Sequence, residues 1–294
     1  MKYFTRGSIA ALAAIGLMLG GCGSSPATVT NSSVTSTAVS AASSAVSGVR
    51  SPTATSSAAS STGVPETATV GTLTVFAAAS LKATFTTLGN TFKSENPGSD
   101  VTFSFAGSSD LVTNLIGGAP ADVFAAADLA NMTKATDGRL VAGSPVNFAT
   151  NTLTIVTPPD NPKGITTFAD LAKAGVAVVV CAPKVPCGAA AQKIETSTGT
   201  TITPVSEESS VVDVLGKVES GEADAGLVYV TDAIGAGPKV KAVAFPESSL
   251  AVNTYPIAVL QGSTNAGLAQ RFVDLVIGSE GQAVLKTAGF AAAP

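Results

Sequence analysis

Leu73-Thr74-Val75-Phe76-Ala77-Ala78-Ala79-Ser80-Leu81 runs from a β-rich segment straight into a helical one. Leu73 to Ala77 has strand composition, and Leu81, Phe85, Leu88 and Phe92 then recur at helical spacing. The pattern continues outward. Val101 to Phe105 alternates like a strand and leads through Gly107-Ser108-Ser109 into a helix carrying Leu111, Val112, Leu115 and Ile116. Ala121 to Ala125 reads as a strand ending at Asp128. Further strands are expected at Thr152–Val156, Val176–Val180, Gly226–Val230 and Tyr255–Leu260. Helices are expected at Phe168–Leu171, after Gly188, along Val211, Val214, Leu215 and Val218 behind a Ser209 or Ser210 cap, and from Leu268. Strands alternating with helices predict an α/β fold with mostly parallel sheets.

Upstream of this region the chain changes character. Met1 to Arg6 is a short basic segment, Ile9 to Leu19 is apolar, and Leu19-Gly20-Gly21-Cys22 places small residues before a cysteine. The apolar run is too short for a bilayer of about 30 Å, so residues 1–21 read as a lipoprotein signal peptide with Cys22 as the acylated first residue of the mature chain. A plain signal peptide or a membrane anchor are the alternatives; neither needs a cysteine there. Residues 24–70 contain 14 Ser and 9 Thr, with Arg50 and Glu66 as the only charges. Such a segment cannot bury enough apolar surface to offset chain entropy, so residues 22–70 are expected to be a disordered tether, reaching about 40 Å.

Composition removes whole classes of chemistry. Of 294 residues none is His, which excludes a Ser-His-Asp triad, an imidazole base and a His-bound zinc. A net charge of −4 from 16 basic and 20 acidic residues argues against nucleic acid. Cys181 and Cys187 flank a short loop, and in an exported chain such a pair reads as a disulfide. Two free thiols, or a thiolate metal site lacking other ligands, are the alternatives.

Several strand-to-helix junctions place a small or hydroxyl residue where a helix begins: Ala79-Ser80, Gly107-Ser108-Ser109, Ala126-Ala127-Asp128, Cys187-Gly188 and Ser210-Val211. Helix N-termini offer unpaired N–H groups and partial positive charge, and in open α/β sheets they line the ligand crevice. Each serine alone is equally an ordinary helix cap. The chain as a whole is more specific. Phe76-Ala77-Ala78-Ala79-Ser80, Phe105-Ala106-Gly107-Ser108-Ser109, Gly118-Ala119-Pro120-Ala121-Asp122, Val185-Pro186-Cys187-Gly188 and Gly226-Leu227-Val228-Tyr229 with Asp232, together with Phe245-Pro246-Glu247 and Tyr255-Pro256, resemble the periplasmic molybdate-binding proteins of ABC transporters across residues 71–294.

The resemblance implies a two-lobed periplasmic-binding-protein fold of type II, each lobe a sheet flanked by helices, joined by a two-strand hinge. Lobe 1 would comprise 71–150 plus 254–294 and lobe 2 would comprise 151–253, with crossings at Thr150-Asn151 and near Thr254-Tyr255. It implies an oxyanion held by Ser80 and Ser108 through hydroxyl and main-chain N–H, by Ala127, Cys187 and Val211 through main-chain N–H, and by Tyr229 through its phenol. Cys187 stands where the family commonly has a small residue such as Ala. The implied ligand is molybdate or tungstate, captured without a cofactor, a directly coordinated metal or a catalytic residue, and delivered to an ABC permease and its ATPase. The implied state is a monomer on the outer face of the cell membrane. A sulfate or thiosulfate receptor of the same fold is the alternative within binding proteins. A serine hydrolase would need Lys82 as base to Ser80 or Ser108, and a purely structural lipoprotein would bind no anion. Cys22→Ala is expected to release the protein from the membrane fraction; retention there would remove the lipid-anchor reading.

Overall fold

The computed structural model describes residues 70–294. The signal segment, Cys22 and the tether before Val70 lie outside the described residues. From Thr72 the chain forms β1 (Thr72–Ala78), a 3-10 turn (Ala79–Leu81), α1 (Lys82–Glu95), β2 (Asp100–Ala106), α2 (Ser108–Ile116), β3 (Val123–Ala125), α3 (Leu129–Asp137) and β4 (Val146–Asn151). It continues as β5 (Leu153–Thr157), a 3-10 turn (Phe168–Ala172), β6 (Val178–Cys181), α4 (Pro186–Thr198), β7 (Ser206–Glu208), α5 (Val211–Glu219), β8 (Ala225–Tyr229), α6 (Val230–Ala236) and β9 (Lys241–Val243). The last elements are β10 (Asn253–Val259), α7 (Ala266–Ile277) and α8 (Ser279–Thr287).

These strands make two five-stranded sheets, ordered β2-β1-β3-β10-β4 and β7-β6-β8-β5-β9. Each sheet is mixed rather than mostly parallel. In the first, β1 runs parallel to β2 and β3, while β10 is antiparallel to β3 and β4. In the second, β6 is parallel to β7 and β8, while β5 is antiparallel to β8 and β9. The antiparallel members β5 and β10 are the strands by which the chain enters each sheet from the other. A strand arriving that way need not make the right-handed crossover that parallel neighbours require. Sequence pattern reports burial, not direction, so this feature was not legible in it.

The register aligns the strand ends that carry the junctions. Ala77 pairs with Phe105 and Ala78 with Ala106, so the chain leaves β1 toward Ser80 and β2 toward Ser108 at one edge of the first sheet. The apolar stripe of α1 packs beneath them: Phe85 and Phe92 meet the ring of Phe272 from α7 edge-on at 5.8 and 5.5 Å. Burying each such ring contributes about 1.5–3 kcal/mol, an upper value because the unfolded chain already hides some of its surface. The closing helix expected from Leu268 is two helices. Gly278, in an extended conformation (φ −71°, ψ 171°), separates α7 from α8.

In the second sheet's lobe the 3-10 turn at Phe168 is fixed by a capping box. Thr167 Oγ1 accepts from the Asp170 N–H, and Asp170 Oδ2 accepts from the Thr166 and Thr167 N–H groups at 2.8 and 2.9 Å. With Lys173 Nζ at 2.7 Å from its other oxygen, these bonds hold the Asp170 carboxyl well below the usual carboxylate range. Among the described residues no helix is long and apolar enough to cross a membrane.

Asp170→Ala is expected to cost about 1–2 kcal/mol of stability, as loss of a helix cap does. Because the folded pKa is depressed, the stabilisation is full above the unfolded carboxylate value of about 4 and fades as pH falls below it. Urea melts of both proteins at neutral pH and near pH 3 check this; an equal midpoint at neutral pH would show that the box contributes nothing.

Candidate functional site

The strand ends of both sheets face one small cavity. Its walls are Ala78, Ala79, Ser80, Ala106, Gly107, Ser108 and Ala127 from the first sheet's side and Val185, Pro186, Cys187, Val211 and Tyr229 from the second. Its volume, measured to the centre of a water-sized sphere, is about 10 Å³, so only a small ion or molecule fits. All six residues expected from the sequence, Ser80, Ser108, Ala127, Cys187, Val211 and Tyr229, line it. No wall residue carries a charge. Lys184, adjacent in sequence, turns away to Asp110 of α2 at 3.3 Å. Among the described residues no cluster of His, Cys, Asp and Glu could hold a metal ion.

Local sequence aims these groups. Gly107 caps α2, and its carbonyl accepts from the Asp110 and Leu111 N–H groups at 3.0 and 3.1 Å, leaving the first-turn amides of Ser108 and Ser109 without an intrahelical acceptor. Pro186 opens α4 with φ preset and no N–H to satisfy, so Cys187 brings the first available amide of that helix. Ser210, not Ser209, caps α5: its Oγ accepts from the Asp213 N–H at 3.4 Å and donates to Asp213 Oδ2 at 2.7 Å, which seats Val211 at the first helical position. The Cys181–Cys187 disulfide is present and closes the loop that ends at the cavity wall.

The hydroxyls differ in their partners. Ser108 Oγ accepts from the Ala127 N–H at 2.9 Å. That amide is therefore committed to the serine rather than free for a ligand, which alters the contact expected of Ala127. Asn253 Nδ2 donates to the Ala127 carbonyl at 2.8 Å and so fixes the following peptide from β10. Ser80 Oγ lies 3.0 Å from Tyr255 Oη. Tyr229 is 1% exposed, yet its hydroxyl is buried with no hydrogen-bond partner. Burial raises the Tyr229 phenol well above its ordinary value, and Tyr255, Asp128 and Asp232 push it further, so it keeps its proton. Asp232 Oδ2 accepts from the Tyr229 N–H at 3.0 Å, and burial lifts that carboxyl to about 7.

Across the cavity the two sides touch backbone to backbone. A Cβ on Gly107 would overlap the Ser209 carbonyl oxygen, so only glycine permits this approach. What motif reading did not show is the close approach of Gly107 to Ser209, the contact of Tyr255 with Ser80 and the Lys184–Asp110 pair. Tyr255-Pro256 was legible as a motif, but not its reach to Ser80, 175 positions away.

The chain matches the model described as "Bacterial extracellular solute-binding protein" over residues 73–291. It is 53% identical over 219 residues to the molybdate-binding protein ModA of Mycobacterium tuberculosis, covering 74% of this chain and 84% of that one. The chain belongs to the ModA family of bacterial extracellular solute-binding proteins. The ModA of Escherichia coli is 35% identical over 231 residues, covering 75% of this chain and 89% of the relative. Solved structures share the fold. The periplasmic molybdate-binding protein of Azotobacter vinelandii has a TM-score of 0.67 at 23% identity, over 76% of this chain and all of that one. The sulfate-binding protein SubI of Mycobacterium tuberculosis has a TM-score of 0.66 at 19% identity, over 76% and 87%. A member of this ModA family is a binding protein and not an enzyme.

Gly107→Ala is expected to cost the closed arrangement about 1–3 kcal/mol, as overpacking does, and to separate the two sides. Small-angle scattering would read this as a larger radius of gyration; an unchanged radius would mean the overlap is relieved locally.

Proposed function

We propose that this protein captures molybdate, and with it the near-isosteric tungstate, between its two lobes and delivers it to an ABC importer outside the cytoplasm. The observation that carries the reading is the Tyr229 hydroxyl, a buried donor without a partner, facing a cavity with no charged wall. A buried polar group left unpaired costs about 1–3 kcal/mol, which a ligand oxygen would recover. The first-turn amides of α2, α4 and α5 supply further donors and the positive ends of three helix dipoles. A dianion can be held by such dipoles without Lys or Arg. The names of the ModA relatives support molybdate over sulfate, the second reading, for which the likeness to SubI supplies fold alone.

In this proposal Ser80, Ser108, Cys187, Val211 and Tyr229 touch the anion, and Ala127 acts by holding Ser108. The lobes are 71–150 with 254–294, and 151–253, rotating about the crossings at Thr150-Asn151 and Thr254-Tyr255. Pairing of Asn151 with Asn253 between β4 and β10 fits a hinge at that place. Closure on ligand is the usual behaviour of two-lobed binding proteins. The protein works as a monomer, anchored through acyl chains on Cys22, and presents its closed form to a permease driven by an ATPase.

Calorimetric titration with molybdate, sulfate and phosphate tests the reading. One-to-one binding of molybdate with sulfate weak or absent is expected, and Ser108→Ala should weaken it by about 1.5–3 kcal/mol, the worth of one hydrogen bond to a charged group. Preference for sulfate would move the protein to sulfate uptake, and silence toward all three would reduce the likeness to scaffold alone.

A further inference from the structure

Resting on the oxyanion reading of this site, we propose that Tyr255 is a specificity-determining positioning residue. Its phenol donates to Ser80 Oγ and so commits the serine's own hydrogen to the cavity.

Tyr255 stands on β10 behind the cavity wall, fully buried, and cannot swing away. Its ring is met edge-on by Phe148 at 6.2 Å, by Tyr229 at 5.9 Å and by Phe290 at 5.3 Å. One proton bridges Tyr255 Oη and Ser80 Oγ at 3.0 Å, and chemistry decides which oxygen owns it. A phenol is a stronger acid than an aliphatic alcohol, and its lone pairs are drawn into the ring. The phenol is therefore the better donor and the serine the better acceptor. Burial keeps the Tyr255 phenol protonated, so it retains a hydrogen to give.

A hydroxyl that accepts from behind must donate forward. Ser108 is held the same way by the Ala127 N–H, and the Tyr229 hydroxyl has no competing partner. The cavity then offers hydrogens from three hydroxyls and no lone pair in return. A fully deprotonated tetrahedral dianion is satisfied by such a site. Hydrogen phosphate and hydrogen arsenate are not, because their own O–H would be buried without an acceptor. Ser80 is the weak point of this exclusion: freed of Tyr255, it can rotate, turn a lone pair inward and accept that proton.

Tyr255→Phe keeps the ring and removes the hydroxyl that donates to Ser80. Molybdate and inorganic phosphate, the latter above its second pKa so that it is monoprotonated, are titrated into the intact protein and the variant. The parent is expected to bind molybdate and exclude phosphate. The variant should bind molybdate about tenfold more weakly and gain phosphate binding, so that the selectivity ratio falls by more than the molybdate loss alone. In a Ser80→Ala background Tyr255→Phe should no longer change the ratio, because the partner through which it acts is gone. A variant with parental selectivity, or an effect undiminished without the Ser80 hydroxyl, overturns the proposal. If Tyr255→Phe does not fold, proton NMR of the parent decides. A slowly exchanging bridge proton with cross-relaxation to the Tyr255 ring is expected, and attachment to Ser80 overturns the proposal. A parent that binds no molybdate refutes the oxyanion reading itself, and the proposal with it.

Discussion

An anion enclosed without a countercharge must be met by dipoles that are already in place, because in a water-free site nothing else can reorient to solvate it. On the proposed reading, that constraint orders the rest of this molecule. First-turn amides come from α2, α4 and α5, each held by a rigid strand-to-helix junction. Ala127 is pinned on both sides, its N–H by Ser108 Oγ and its carbonyl by Asn253. Small residues line the wall because backbone, rather than side chain, has to reach the centre. Basic residues are kept outside: Lys184 is engaged by Asp110, and an ammonium inside would bind any anion and distinguish none.

Much of this could be read before the structure. The stripe of Leu81, Phe85, Leu88 and Phe92 located α1, and the Gly107-Ser108 junction located the start of α2, because helical periodicity and capping are local codes. Ser80, Ser108, Cys187, Val211 and Tyr229 were legible through a resemblance carried by several short motifs together. What stayed hidden was non-local. The antiparallel direction of β5 and β10 depends on where the chain returns from. The amide of Ala127 turned out to serve Ser108, which only the packing of two junctions could decide. Tyr255 looked like strand packing until its hydroxyl was seen beside Ser80.

The two faces of the cavity are asymmetric in origin. On the first sheet's side the hydroxyls of Ser80 and Ser108 are supported from behind. On the second, Cys187 and Val211 contribute apolar side chains beside first-turn amides, and the Tyr229 hydroxyl stands alone. One side thus sets hydrogen-bond polarity while the other supplies most of the apolar wall. Gly107 lets the two meet without an intervening side chain, which keeps the enclosed space small.

The Cys181–Cys187 link bears on the kinetics of enclosure as well as on stability. The loop it closes carries Lys184, which reaches Asp110, and Val185, whose methyl carbon lies against Gly107. A free loop would have to be immobilised afresh whenever the cavity shut, at about 0.5–1.5 kcal/mol for each rotamer-rich side chain and more for the backbone. Cross-linked, most of that ordering is done once, when the chain oxidises and folds. On the proposed reading, each later closing event begins from a lip that already has its final shape.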